Sequence, residues 1–220
     1  DTGIICCDGY DEELIDRCYR VCDHLSLSVT LYSNGTINKE IVASVTESLK
    51  LSEDGARLPE VFAAPSLQMV TFTITEKGYA IQNDAHDFLP DYKDDMESGP
   101  DACHSFFGKL ASLCLSRVRA GLAPLALGSL DNCSDNGVRL ERAMRYMTQA
   151  WMQHGFITED EYFALIKKNT YPLSMIDKIT PHPDERIAKA LTDDGVEGAQ
   201  PFVTEKGSVG AIYVNSENPH

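Results

Sequence analysis

The residues best placed for chemistry are polar side chains that close apolar runs. Asp8 follows Ile4 to Cys7, and the segment Thr75 to Tyr79 follows the alternating stretch Val70 to Ile74. Asp131 and Asn132 end the almost wholly apolar run Leu122 to Leu130, and Asp177 and Lys178 interrupt the apolar stretch Pro172 to Ile179. In open α/β sheets ligands bind beyond the carboxyl ends of the strands, so these strand-terminal groups are the first to consider. An aspartate just past an early strand suits hydrogen bonding to a nucleotide ribose, although Asp8-Gly9 is equally ordinary turn chemistry. Asn132 carries donors and an acceptor that can hold a substrate oxygen as charge develops on it; the alternative is a helix-entry turn residue. Asp177 and Lys178 each need a partner if turned inward, which a ligand or a structural ion pair would supply.

The elements that position these groups alternate along the chain. Ile4 to Cys7 reads as a strand, Glu12 to His24 as a helix, and Leu27 to Tyr32 as a strand entering the Asn34-Gly35 turn. Ile37 to Leu49 is a mixed strand or helix. Asp84 to Asp101, with seven acids and one lysine, predicts a solvated loop. Cys103 to Arg119 presents Phe106, Phe107, Leu110, Leu113, Cys114 and Val118 at helical spacing, and Gly121 stops it. Leu122 to Leu130 predicts a strand buried on both faces. Asp135 or Asn136 then caps a helix whose Leu140, Met144, Met147 and Trp151 recur at i, i+4, i+7 and i+11. Glu159 to Lys168 and Glu185 to Leu191 predict further helices, and Met175 to Ile179 a strand. The pattern is α/β with a doubly wound, mostly parallel sheet.

Composition narrows the function. In 220 residues, 19 Lys and Arg face 34 Asp and Glu, a net charge of −15, which leaves no basic face for nucleic acid or anionic lipid. No apolar run approaches the roughly 20 residues that span a bilayer. Seven cysteines, an odd number with no Cys-x-x-Cys, predict reduced thiols and a cytoplasmic location. Cys18, Cys22 and His24 come nearest to a metal constellation but lack a second close pair, so they read as helix-face thiols and no metal is expected. The chain opens without Met or a basic leader inside what reads as a strand, which predicts a preceding segment. The 15 glycines include no Gly-x-Gly, no Tyr is followed four residues later by Lys, and neither a phosphate loop nor a nucleophile elbow occurs.

Three motifs, Thr73-Ile74-Thr75-Glu76-Lys77-Gly78-Tyr79, Ser129-Leu130-Asp131-Asn132-Cys133-Ser134-Asp135-Asn136-Gly137 and Pro172-Leu173-Ser174-Met175-Ile176-Asp177-Lys178-Ile179-Thr180-Pro181, resemble the mannitol dehydrogenase family of polyol-specific long-chain dehydrogenases. They stand in the family's order, and the likeness covers nearly the whole chain. The resemblance implies a Rossmann-like NAD(P)-binding domain over residues 1–220 that lacks its first strand-turn-helix unit. The family's Gly-x-Gly-x-Phe turn would precede Asp1, and the helical domain with its Lys-x4-Asn-x2-His base would follow His220.

By the same resemblance Asn132 matches the asparagine of an oxyanion-type site, and Asp177, with Lys178 beside it, the substrate-binding segment. Thr75 and Glu76 match residues lining the nicotinamide, and Asp8 would choose NAD over NADP by repelling a 2′-phosphate. The implied reaction is hydride transfer between NAD and a secondary alcohol of a sugar acid or hexitol, with mannonate/fructuronate favoured over mannitol/fructose. A sugar-acid epimerase using NAD transiently and a non-catalytic nucleotide-binding module are the alternatives. Nothing in the composition sets an oligomeric state.

Overall fold

The structure, a computed structural model, describes residues 3–176 and 181–218. In chain order it begins with β1 (Ile4–Asp8), β2 (Ser26–Tyr32), β3 (Ile37–Val42), β4 (Val45–Lys50), α1 (Leu51–Asp54), α2 (Arg57–Ala63), β5 (Met69–Phe72), α3 (Thr75–Gly78) and α4 (Pro90–Ser98). There follow α5 (Phe106–Arg119), β6 (Ala126–Ser129), α6 (Asn136–Gln153), α7 (Glu159–Phe163), α8 (Glu185–Asp193), β7 (Phe202–Val203), β8 (Val209–Gly210) and β9 (Tyr213–Asn218). The chain divides into two compact units, one of Asp1–Arg57 with Lys178–His220 and one of Leu58–Asp177.

In the first unit β1 pairs in parallel with β4, and β2 lies between antiparallel β3 and parallel β9. The α8 residues Ile187, Ala188 and Leu191 fall on one helical face and pack with Val29 of β2 and Tyr213 of β9. The predicted helix over Glu12 to His24 is a π-helical turn at Ile15–Tyr19 running into a 3-10 turn at Arg20–Cys22. It ends where Asp23 and His24 take left-handed backbone at φ 51° and 61°. The Asn34-Gly35 turn forms as expected, with Gly35 at φ 83°, a conformation that costs glycine nothing. Ile37 to Leu49 resolves into two strands.

In the second unit β5 and β6 pair in parallel, and Thr170 continues the same direction beside Ala126. The predicted stripe on α6 forms the centre of the core: Leu140, Met144, Met147 and Trp151 are fully buried, against Phe107 and Leu110 of α5 and Leu127 of β6. Arg117 is also buried, and its guanidinium donates to four carbonyls, of Phe62, Ala64, Leu67 and Ala123, so a single side chain pins the α2–β5 connection and the loop that follows α5.

Three expectations are corrected. Asp84 to Asp101 is not a solvated loop, because it contains α4, and Asp95 at the centre of this acidic run is fully buried. The strand expected over Leu122 to Leu130 is only β6. Residues 171–176 form no strand, and Met175 is 86% exposed; the strand-like pairing falls earlier, at Thr170, and 177–180 lie outside the described residues.

Candidate active site

β5 and β6 run side by side, so their carboxyl ends present Thr75 and Asn132 at the same edge of the sheet. The first residue past Leu130 is the organiser. Asp131 is nearly buried, and its carboxylate accepts the Thr75 N–H at Oδ1 (2.8 Å) and the Ile74 N–H at Oδ2 (2.9 Å). The buried Tyr79 hydroxyl donates to Asp131 Oδ2 at 2.7 Å and also approaches Ser129 Oγ at 2.6 Å. Burial, with the Asp131 carboxylate second, holds the Tyr79 phenol protonated far above its ordinary range, as a permanent donor.

Thr75 sits at φ 61°. A β-branched residue strains in left-handed backbone, at a cost of about 1–3 kcal/mol, and charge-assisted bonds to a buried carboxylate offset that cost. Its side chain and that of Glu76 are exposed, and Glu76 pairs with Arg139 of α6 at 3.1 Å.

Asn132, next along from Asp131, behaves in the opposite way. It is exposed and makes no side-chain hydrogen bond among the described residues. It faces a cleft of about 350 Å³ between residues 132–136 and 173–175. The far wall is fixed by Asn136, buried at the start of α6, whose Nδ2 donates to the Ser174 carbonyl (3.0 Å), Ser174 Oγ (2.8 Å) and the Asp131 carbonyl (3.0 Å). Ser174 Oγ in turn donates to the Ser129 carbonyl. Asp135 makes no side-chain cap of α6, whereas Asn136 Oδ1 accepts the first-turn Gly137 N–H at 2.7 Å as well as the Ser174 N–H at 3.2 Å. Cys133, also in the cleft, is held above its ordinary thiol range, chiefly by burial.

Gly137 is what lets α6 approach this wall. A Cβ there would lie 2.6 Å from the carbonyl oxygens of Tyr171 and Pro172, both backbone atoms. Gly137→Ala should destabilise the protein by about 1–3 kcal/mol, measured by chemical unfolding, and open the cleft by pushing 171–174 away.

In the other unit Asp8 closes β1, half-buried, and its Oδ1 accepts the Tyr10 N–H at 2.7 Å and the Asp11 N–H at 2.9 Å. The turn reading of Asp8 is thus realised, while Oδ2 has no partner among the described residues and remains open to a ligand hydroxyl. Lys50, opposite Asp8 in the β1–β4 register, is committed to Asp16 (2.9 Å) and Glu53 (2.7 Å). Asp177 and Lys178 lie outside the described residues. Nothing in the spacing of Asp131, Ser129, Tyr79 and Ser174 marks the network they form. The available signal was Asp131 itself, since a carboxylate ending a fully buried strand must find donors.

No family model matches the chain. Over 220 residues it is 41% identical to a protein named D-mannonate oxidoreductase from Thermotoga maritima, covering 99% of this chain and 41% of that protein. The fold matches the crystal structure of D-sorbitol dehydrogenase in substrate-free form with a TM-score of 0.77 and 21% identity, over 98% of this chain and 42% of that one. It also matches the Pseudomonas fluorescens mannitol 2-dehydrogenase ternary complex with NAD and D-mannitol, with a TM-score of 0.67 and 19% identity, over 88% of this chain and 45% of that one. The chain thus spans about two fifths of the length of the relatives it matches.

Proposed function

Because the chain belongs to the mannitol dehydrogenase family, we propose that it is part of an oxidoreductase that transfers hydride between NAD and a secondary alcohol of a sugar acid or hexitol. The observation that carries this reading is the contrast between Asn132 and its neighbours: Asp131 and Asn136 have spent their polar atoms on the fold, whereas the Asn132 amide projects unbonded into the cleft. An amide so placed can donate to an alcohol oxygen and steady the negative charge that develops as the carbon is oxidised. The 41% identity with a relative named D-mannonate oxidoreductase favours a sugar acid over a hexitol.

The residues present fit NAD. Asp8 keeps one carboxylate oxygen free at the end of β1, and the cation beside it is already paired. NAD, when bound, supplies the hydride acceptor. Asp8 would hold a ribose hydroxyl and repel a 2′-phosphate, Thr75 and Glu76 would line the nicotinamide side, and Asp177 and Lys178 would hold the substrate's hydroxyl or carboxylate groups. The general base that takes the alcohol proton is assigned to a helical domain beyond residues 1–220, and these residues to the nucleotide-binding part. Among the described residues no helix is long and apolar enough to cross a membrane, and a cytoplasmic enzyme acting on small molecules is proposed.

The test is NADH absorbance with the full-length protein on mannonate, fructuronate, mannitol and fructose. Turnover of the sugar-acid pair above the hexitol pair is expected, and silence on all four would sink the reading. Asp8→Ser should raise the ratio of kcat/KM for NADP to that for NAD by about tenfold or more, because removing one repulsive charge shifts discrimination without new contacts. An unchanged ratio would take Asp8 out of cofactor selection.

A further inference from the structure

We infer that Asp131 is a positioning residue, which holds Thr75 in its left-handed conformation and thereby sets the cofactor-facing turn against the Asn132 side of the cleft. The inference rests on the proposed reaction for its kinetic consequence but on the fold alone for its geometry.

Three features support it. The two oxygens of one carboxylate take two consecutive amides, Ile74 and Thr75, an arrangement that fixes the backbone between them rather than merely satisfying a buried donor. The turn so fixed contains Thr75, a strained non-glycine at φ 61°. The clamp is itself braced, since Tyr79, at the end of the same turn, donates to Asp131 Oδ2, and Ser129 Oγ accepts the Asp131 N–H at 3.2 Å. Asp131 therefore joins the ends of β5 and β6 through its side chain while its peptide neighbour Asn132 faces the cleft. Asp131 is too buried to touch substrate, so it acts only through the residues it holds.

An asparagine at 131 keeps the shape but presents an NH2 group to the Ile74 N–H and Tyr79 hydroxyl or to the Thr75 N–H, so one half of the clamp becomes donor against donor. The turn should relax towards ordinary backbone. Misplacement on the scale of an ångström near a reacting centre costs on the order of 10²-fold in rate, so Asp131→Asn in the full-length enzyme should lower kcat/KM by about 30–100-fold.

The discriminating experiment repeats Asp131→Asn in a Thr75→Gly background, where glycine takes the left-handed conformation without strain and needs no clamp. There the Asp131 substitution should cost less than about fivefold, a coupling that two independent contributions would not show. An equal loss in both backgrounds would overturn the inference. Amide hydrogen exchange on Asp131→Asn gives a readout independent of turnover: the Ile74 and Thr75 amides should exchange at least about tenfold faster while protection of α5 and α6 is kept. Uniform acceleration across the unit would show Asp131 to be an ordinary stabilising residue and would also overturn the proposal. If the unsubstituted enzyme turns over no polyol or sugar acid, the proposed reaction fails and the exchange measurement still decides the clamp.

Discussion

Replacing Asn132 with alanine in the full-length enzyme should lower kcat by about 10²–10³-fold, the usual cost of removing one donor from an oxyanion-type site. The same change should leave stability within about 0.5 kcal/mol, because an exposed side chain without hydrogen bonds contributes little to folding. That separation between activity and stability is what distinguishes Asn132 from its neighbours, whose replacement would disturb both. Asn132→Asp should be at least as damaging as alanine, since a carboxylate would confront the developing alkoxide with like charge instead of a donor. On the proposed role the effect should appear in kcat more than in KM, since a contact with the reacting oxygen strengthens only as charge builds. Steady-state kinetics beside thermal unfolding of the two variants checks all four expectations. A loss in kcat of less than threefold for Asn132→Ala would remove this residue from the reaction and return it to the helix-entry role.

What could be read in the residues beforehand divides according to the range of the interaction. The α6 stripe was legible because its signal is local: four apolar residues at helical spacing face one way wherever the helix packs. The position of Asn132 just past β6 is legible for a related reason, since the end of an apolar run marks the end of a strand. Asp8 is legible only as two alternatives, of which the structure shows the turn, one carboxylate oxygen accepting both the Tyr10 and Asp11 amides. The left-handed backbone at Thr75 was not legible, because the group that imposes it stands 56 residues further on. β9 is not legible locally because its mostly polar run, Tyr213–Asn218, is placed by pairing with β2, some 186 residues earlier. The acidic run misleads for another reason: polarity does not entail exposure where a carboxylate such as Asp95 is surrounded by donors.

Asp95, the centre of that run, should therefore be among the most costly residues to remove. Its Oδ1 accepts the His104 N–H at 2.8 Å, and its Oδ2 accepts the Ser105 N–H at 2.8 Å and the Ser105 hydroxyl at 2.5 Å. Ser105 is the N-cap of α5, its Oγ accepting the Gly108 N–H at 3.2 Å, so Asp95 orients the cap of the longest helix packed on α6. Gly108 shows how closely the carboxylate is seated, since a Cβ there would lie 2.2 Å from Asp95 Oδ2. From its backbone Asp95 also accepts the indole N–H of the fully buried Trp151 at 2.8 Å, which fixes α4 against the core independently of the side chain. Alanine at 95 would strand the buried Ser105 amide and hydroxyl at about 1–3 kcal/mol each, and the part-buried His104 amide at less, with partial relief from water entering the space vacated. A loss of about 3 kcal/mol or more is expected, and a fall in Tm of about 10 °C. Asp95→Asn, which retains one acceptor oxygen, should cost roughly half as much. Glu97→Ala is the control on the same helix: Glu97 is exposed, its contact with Lys93 is 3.9 Å long, and its loss should be within about 0.5 kcal/mol. If urea unfolding placed Asp95→Ala and Glu97→Ala together, the acidic run would be a solvated surface after all, and α5 would owe its start to the Ser105 hydroxyl alone.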